Sequence, residues 1–173
     1  MTHADIISVI EAYASPTLQE SWDNTGWQVT PSGTTDLCTG VMTCLDITPA
    51  VVDEARAKGC NLIISHHPLI FRGLRSITGA GNAEQAVISA IRSGIAIYSS
   101  HTALDSTQGG VSPELGSRLG LTDMRPLSPS SVSPDAGLGV IGTISGGITR
   151  AAFIETVKRA YDAPTVRVTQ GPR

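Results

Sequence analysis

The sequence predicts an α/β fold: a mostly parallel sheet of βαβ units flanked by helices, with a metal site at the C-terminal ends of the strands. Three observations predict it. Short β-branched runs alternate with amphipathic segments at βαβ spacing. Glycine, proline and hydroxyl residues punctuate the alternation where helices should start and stop. The apolar runs also end abruptly in chemistry-bearing residues: Asp46, then Ser65-His66-His67-Pro68, then His101 with Asp105. Parallel strands place their C-terminal ends on one edge of a sheet, so these groups should converge there.

The elements follow in order. Residues 5–14 place Ile6, Val9, Ile10 and Tyr13 on one helical face, which should end before Pro16. A polar loop, Glu20–Trp27, carries both tryptophans, and Gln28-Val29 begins a strand. Gly33–Asp36 is a turn. Gly40–Leu45 reads as the first buried strand. Thr48 then caps a helix with Pro49 at its first position, Val51, Val52 and Ala55 on its apolar face, and Gly59 at its end. Leu62-Ile63-Ile64 is the strand that runs into the paired histidines, where Pro68 biases His67 towards an extended backbone. A long loop over residues 71–81 contains Arg72 and Arg75. Asn82 should cap a helix bearing Ala86, Val87, Ala90 and Ile91, with Gly94 closing it before the strand Ile95–Tyr98.

Beyond that strand, Ser112-Pro113 starts a short helix stopped by Gly120. Residues 125–137, with Pro126, Pro129 and Pro134, read as a linker or irregular loop. Gly139–Ile144 is a strand, Thr149–Tyr161 a helix with Ala152, Phe153, Val157 and Ala160 facing in, and Thr165–Thr169 a last strand. The organisation expected is a metal-binding α/β domain over 1–124 and an extension over 125–173 packed on the same domain.

Composition narrows the class. A chain of 173 residues with 40% hydrophobic and 16% charged residues is globular in character. No apolar run reaches the ~18 residues that cross a bilayer, and the N-terminus lacks a basic signal-peptide segment, so no membrane partner and a cytoplasmic location are expected. A net charge of -3, the lack of a basic tract and 4% aromatic residues give nothing that favours nucleic acid. Cys38, Cys44 and Cys60 show no C-x-x-C spacing. Cys44 and Cys60, in or beside strands, read as buried thiols.

Neutral imidazole is the commonest metal ligand, and two imidazoles with one or two carboxylates suit Zn²⁺, Mn²⁺ or Fe²⁺. The competing reading is a set of satisfied polar groups at strand ends. Ser65 beside His66 lacks the glycine-flanked turn of a nucleophile elbow. The letters of Gly137–Gly142 match G-x-G-x-x-G but precede a strand, so they read as turn glycines. Arg72 and Arg75 either steer a phosphate or belong to a solvated loop. Trp22 and Trp27 read as core or loop anchors ahead of base-stacking platforms.

Four motifs, taken together, resemble a known family. They are Trp22-Asp23-Asn24-x-Gly26, Leu45-Asp46-Ile47-Thr48, Ile64-Ser65-His66-His67-Pro68-Leu69-Ile70-Phe71 and Ser100-His101-Thr102-Ala103-Leu104-Asp105. In this order the chain is similar to the NGG-interacting-factor-three-like family, also called the GTP cyclohydrolase 1 type 2 family. The resemblance implies an α/β fold that binds two adjacent metal ions and assembles into a ring-shaped homohexamer. It implies His66, His67 and Asp105 as metal ligands, with His101 lining the same site; under a hydrolase reading His101 is the candidate proton shuttle. Asp46 is expected close by but not as a ligand.

The family pattern continues into a second half that supplies a further His and, four residues on, a bridging Glu. This chain has no histidine after His101. The functional expectation is a metal-dependent hydrolase acting on a nucleotide or other phosphate-containing small molecule. The rivals are a non-enzymatic metal-binding scaffold and a shortened chain with an incomplete metal site.

Overall fold

The structure is a computed structural model in which residues 1–169 are described. Helix α1 (His3–Tyr13) opens the chain behind a capping box: Thr2 accepts from the Asp5 amide, and Asp5 accepts from the Thr2 amide. Strand β1 (Gly26–Val29) and strand β2 (Val41–Cys44) come next. Helix α2 (Pro49–Ala57) starts where Thr48 accepts from the Val51 amide, and Gly59 follows it with φ 72°. Strand β3 (Leu62–Ser65), helix α3 (Asn82–Ser93) and strand β4 (Ala96–Ser99) complete the central sheet and its near helices. Two short helices, α4 (Thr102–Ser106) and α5 (Val111–Arg118), lead to a hairpin of β5 (Leu121–Pro129) and β6 (Gly137–Ile144). Helix α6 (Arg150–Ala160) follows. Among the described residues no helix is long and apolar enough to cross a membrane.

The central sheet has the order β1-β4-β3-β2. β2 pairs with β3, and β3 with β4, in parallel; β1 pairs with β4 antiparallel. Alternate strand residues point to opposite faces. Ile63 and Ile97 face α2 and α3, where Val52, Ala55, Ala86, Val87 and Ala90 close the core. Leu62, Ala96 and Tyr98 face α1 and meet Ile7, Ile6 and Ile10. Full burial of side chains such as Ile63 and Ile97 contributes about 1.5–3 kcal/mol each. At the buried foot of Tyr98, desolvation and then its hydrogen bond to Glu11 Oε1 (2.9 Å) push the phenol pKa up.

Several sequence expectations need correction. On α1 the buried face runs through His3 and Ile7, while Val9 and Tyr13 are exposed. Ile91 is likewise exposed on α3. Asn82 is the first residue of α3 rather than its cap; Gly81 occupies the cap without a side-chain bond. Glu84 instead ties the preceding loop to the helix by accepting from the amides of Thr78, Gly79 and Ala80. Cys44 and Cys60 are partly rather than fully buried, and all three cysteines are free.

The largest correction concerns residues 125–137. The first part of that stretch is ordered sheet: β5 runs through Pro129, and 130–136 form the turn into β6. In a two-stranded ribbon each strand has an open edge, so Pro126 and Pro129 forfeit no indispensable ladder bond. The glycines of 137–142 lie inside β6 rather than before it. Gly137 (φ 153°) is pressed against the Ser128 carbonyl, where a Cβ would collide with backbone. The hairpin rests on α4 and α5. Thr165–Thr169 pairs with no strand among the described residues. β-branched residues without an adjacent sheet edge do not make a strand.

Candidate metal centre

Strand register builds this site. Cys44, Ser65 and Ser99 form the last row of the three parallel strands. The ladder runs on one residue further, with the His66 amide donating to Cys44 O (3.1 Å), the His67 amide to Leu45 O (2.9 Å) and the Ser100 amide to Ser65 O (2.9 Å). Two residues past the last row stand Asp46, His67 and His101. Ser65 is buried and spends its hydroxyl on His67 O and Ser99, which leaves it no nucleophilic role.

Three imidazoles meet at this edge. One ring nitrogen from each of His66, His67 and His101 lies within 4.8 Å of the other two. Ring centroids are 4.9 Å apart for His66–His67, 5.2 Å for His66–His101 and 5.6 Å for His67–His101. Asp105, carried one turn on by α4, places Oδ1 3.7 Å from His66 Nε2 and belongs to the edge of this group rather than its centre. Helix α4 was not foreseen: five residues are too short for a periodic signal. The remaining histidine, His3, is buried in α1 away from the cluster.

Two rings are held from behind. His67 Nδ1 lies 2.8 Å from Asp46 Oδ1, and His101 Nδ1 lies 2.7 Å from Asp23 Oδ1. An ionised carboxylate only accepts, so each Nδ1 donates and each Nε2 is left free. Carboxylates in this position orient metal-ligating imidazoles and raise their basicity. His66 Nδ1 is buried with no hydrogen-bond partner. Two oriented rings, a third with an unpartnered nitrogen and an adjacent carboxylate together form a donor set that fits a divalent ion.

Asp23 is the functional residue that sequence reasoning did not assign. β1 runs antiparallel to β4 with Gly26 opposite Ser99, so the residues preceding β1 arrive where β4 ends. Asp23 accepts from Thr25 Oγ1 (3.0 Å), the Thr102 amide (3.0 Å) and the Thr102 hydroxyl, as well as from His101. Burial alone would push this carboxyl up. The hydrogen bonds from Thr102 and His101, then from the Asn24 and Thr102 amides, outweigh it and hold the pKa down to about 2. The only sequence signal is Asp23's place in a shared motif, because a strand at Gln28-Val29 does not by itself tell that it runs antiparallel to β4.

The two tryptophans divide. Trp27 packs edge-on against Tyr98 at 5.3 Å, as a core anchor should. Trp22 is exposed beside His101. A cavity of about 400 Å³ lies elsewhere, between α5 and the hairpin, lined by Thr107, Ser117, Met124, Arg125 and Asp135 among others, and it holds none of the clustered histidines.

This is a mixed α/β protein whose sheet edge gathers a histidine cluster able to hold a metal ion. The chain belongs to the Duf34/NIF3 (NGG1p interacting factor 3) family, whose model matches residues 1–173. A GTP cyclohydrolase 1 type 2 homolog of Lactococcus lactis is 35% identical over 169 residues, covering 97% of this chain and 62% of the relative. NIF3-like protein 1 of Rattus norvegicus is 41% identical over 125 residues, 72% of this chain and 33% of that protein. A crystal structure of a Staphylococcus aureus protein superimposes with a TM-score of 0.86 at 28% identity, over 96% of this chain and 66% of that one. The chain thus spans under two thirds of the length of these relatives.

Proposed function

We propose that His66, His67 and Asp105 bind a divalent metal ion, Zn²⁺, Mn²⁺ or Fe²⁺, and that the centre hydrolyses a nucleotide or another phosphate-containing small molecule. The observation that carries this reading is the convergence of three imidazoles, two of them locked by carboxylates. A divalent ion held there supplies Lewis acidity, polarising an electrophile and acidifying water. The chain's own residues do the rest. His66 and His67 present nitrogen donors, and Asp46 keeps the His67 ring in one tautomer. His101 moves the proton at Nε2, while Asp23 holds its Nδ1–H and stabilises the imidazolium that forms.

Donor number separates this reading from a non-catalytic one. Three protein donors leave a coordination position open, as in catalytic zinc sites; four close it. If His101 joins His66, His67 and Asp105 as a ligand, the site stores or carries metal. Two adjacent ions about 3.5–4 Å apart would need a bridging carboxylate beyond these four residues, so the donors described here suit one ion.

The test is elemental analysis of protein purified without chelator, beside His67→Ala and His101→Gln variants. About one ion per chain, lost in His67→Ala and kept in His101→Gln, is expected. Equal loss in both would make His101 a ligand and remove its proton role. Turnover of a nucleoside phosphate panel should vanish on metal stripping, and activity that survives stripping rejects the hydrolase.

A cytoplasmic setting belongs to the same reading, since a reducing compartment suits three free thiols. So does a homo-oligomer, a hexamer by resemblance. β2 is an edge strand with Val41 and Leu45 exposed, an arrangement that favours association. Light scattering on the full chain decides this, and a monomer would reject it.

A further inference from the structure

We propose that Trp22 and Phe71 form a subsite for a planar heteroaromatic ring, the base of a nucleotide, beside the histidine cluster. The chain contains only 2 tryptophans and 2 phenylalanines. One of each stands at the histidine edge with its ring in water: Trp22 is 58% exposed and Phe71 47%. Their centroids are 6.1 Å apart at 73°, and each meets His101 edge-on, Trp22 at 6.2 Å and Phe71 at 6.1 Å. Rings set edge-to-face leave a corner in which a flat ligand lies against one face and meets the other ring's edge. The corner stands directly against the His101 ring, which itself meets the rings of His66 and His67.

The corner is also built rigidly, which an incidental surface pair would not need. Trp22 and Phe71 sit on different loops, and Asn24 fastens one to the other by donating Nδ2 to Ile70 O (2.8 Å). Gln28 Oε1 accepts from the Ile70 amide (3.1 Å) and so holds the same loop from β1. On the other side, Asp23 ties the residue after Trp22 to α4 through Thr102. Aromatic faces pre-set in this way bind a base without an ordering cost. Arg72 follows Phe71 directly, is exposed and makes no ion pair among the described residues, so an anionic substituent on the ring meets a free cation.

The choice of a nucleotide base as the ring rests on the hydrolase reading above; the corner itself does not. The experiment uses metal-stripped full-length chain and two probes, adenosine 5′-monophosphate and inorganic phosphate. In a Trp27→Phe variant Trp22 is the sole indole, and its fluorescence is excited at the red edge, where the nucleotide does not absorb. The nucleotide should quench it and phosphate should not. Equilibrium dialysis then compares wild type with Trp22→Leu and Phe71→Leu. About tenfold weaker nucleotide binding is expected for Trp22→Leu and a smaller loss for Phe71→Leu. Both side chains are exposed, so both variants should fold, which thermal melts check. Equal affinity in all three proteins, or no nucleotide binding by wild type, overturns the subsite. The two readings fail separately. Absent metal uptake with intact nucleotide binding rejects the hydrolase and leaves the subsite. One ion per chain with no nucleotide binding does the reverse.

Discussion

Two histidine–carboxylate pairs of nearly equal length serve the same edge, yet they sit in different solvents. His101–Asp23 spans 2.7 Å with side-chain exposures of 16% and 0%; His67–Asp46 spans 2.8 Å with 45% and 62%. The hydrogen bond is alike in both. What differs is what else the carboxylate holds and what replaces it when it goes. Asp23 gathers donors from its own loop, from Thr102 and from His101, joining β1's approach to α4. Asp46 holds one ring, and water stands ready to take its place. The lesson is that one motif can orient an imidazole with or without also carrying the fold.

The largest effect expected is from Asp23→Ala. It strands the Thr102 amide and hydroxyl and the His101 Nδ1–H in a partly buried setting without an acceptor. Each such group costs ~1–3 kcal/mol, so a loss of about 3 kcal/mol in urea unfolding is expected after some relaxation. Metal uptake should persist in the same variant, as in His101→Gln, because Asp23 anchors the His101 ring and α4 rather than a metal ligand. A loss below ~1 kcal/mol would mean that the Asp23 network is replaced by solvent as readily as Asp46.

Acid sharpens the same contrast. The Asp23 carboxyl titrates near 2 in the folded protein against an ordinary 3.8. A depressed carboxyl contributes stability that is fully present above the unfolded value and is lost as pH falls through the folded one. The stability difference between metal-stripped wild type and Asp23→Ala should therefore hold steady above about pH 4 and shrink between pH 4 and 2. Chemical unfolding at stepped pH measures it. A difference that stays constant to pH 2 would show that Asp23's charge adds nothing beyond its shape.

The sequence announced much of this edge and missed its second half for identifiable reasons. Thr48, Pro49, Gly59 and Gly94 are local signals with local causes, and they stand where expected. His66, His67 and His101 were legible because strand ends are marked by an abrupt change from apolar to polar residues. Asp23's contact was not, since it depends on which way a four-residue edge strand runs, and β1 is antiparallel. Trp22 and Trp27, five positions apart, could not be separated by composition. Their fates follow from side-chain direction: Trp27 lies in β1 over Tyr98, whereas Trp22 precedes the strand. Gly139–Ile144 reads as a strand, but its partner β5 is hidden, because Pro126 and Pro129 mark a loop unless the strand is an open edge. Asp23 and Trp27 share one cause: each is decided by a partner distant in sequence, Thr102 and Tyr98.

The smallest effect on stability, and the cleanest separation of orientation from folding, should come from Asp46→Ala. Both members of its pair are solvated, so removing the carboxylate leaves no buried group without a partner. Unfolding free energy should move by less than ~1 kcal/mol. The His67 ring, however, loses the acceptor that fixed its tautomer. Loss of such an outer carboxylate lowers metal affinity by ~10–100-fold. Competition against a chromophoric chelator reads the second quantity and urea unfolding the first. If Asp46→Ala destabilises as much as Asp23→Ala, exposure is not what distinguishes the pairs. If metal affinity is unchanged, the 2.8 Å contact with His67 does not orient a ligand, and the reading of His67 as a donor loses its structural support.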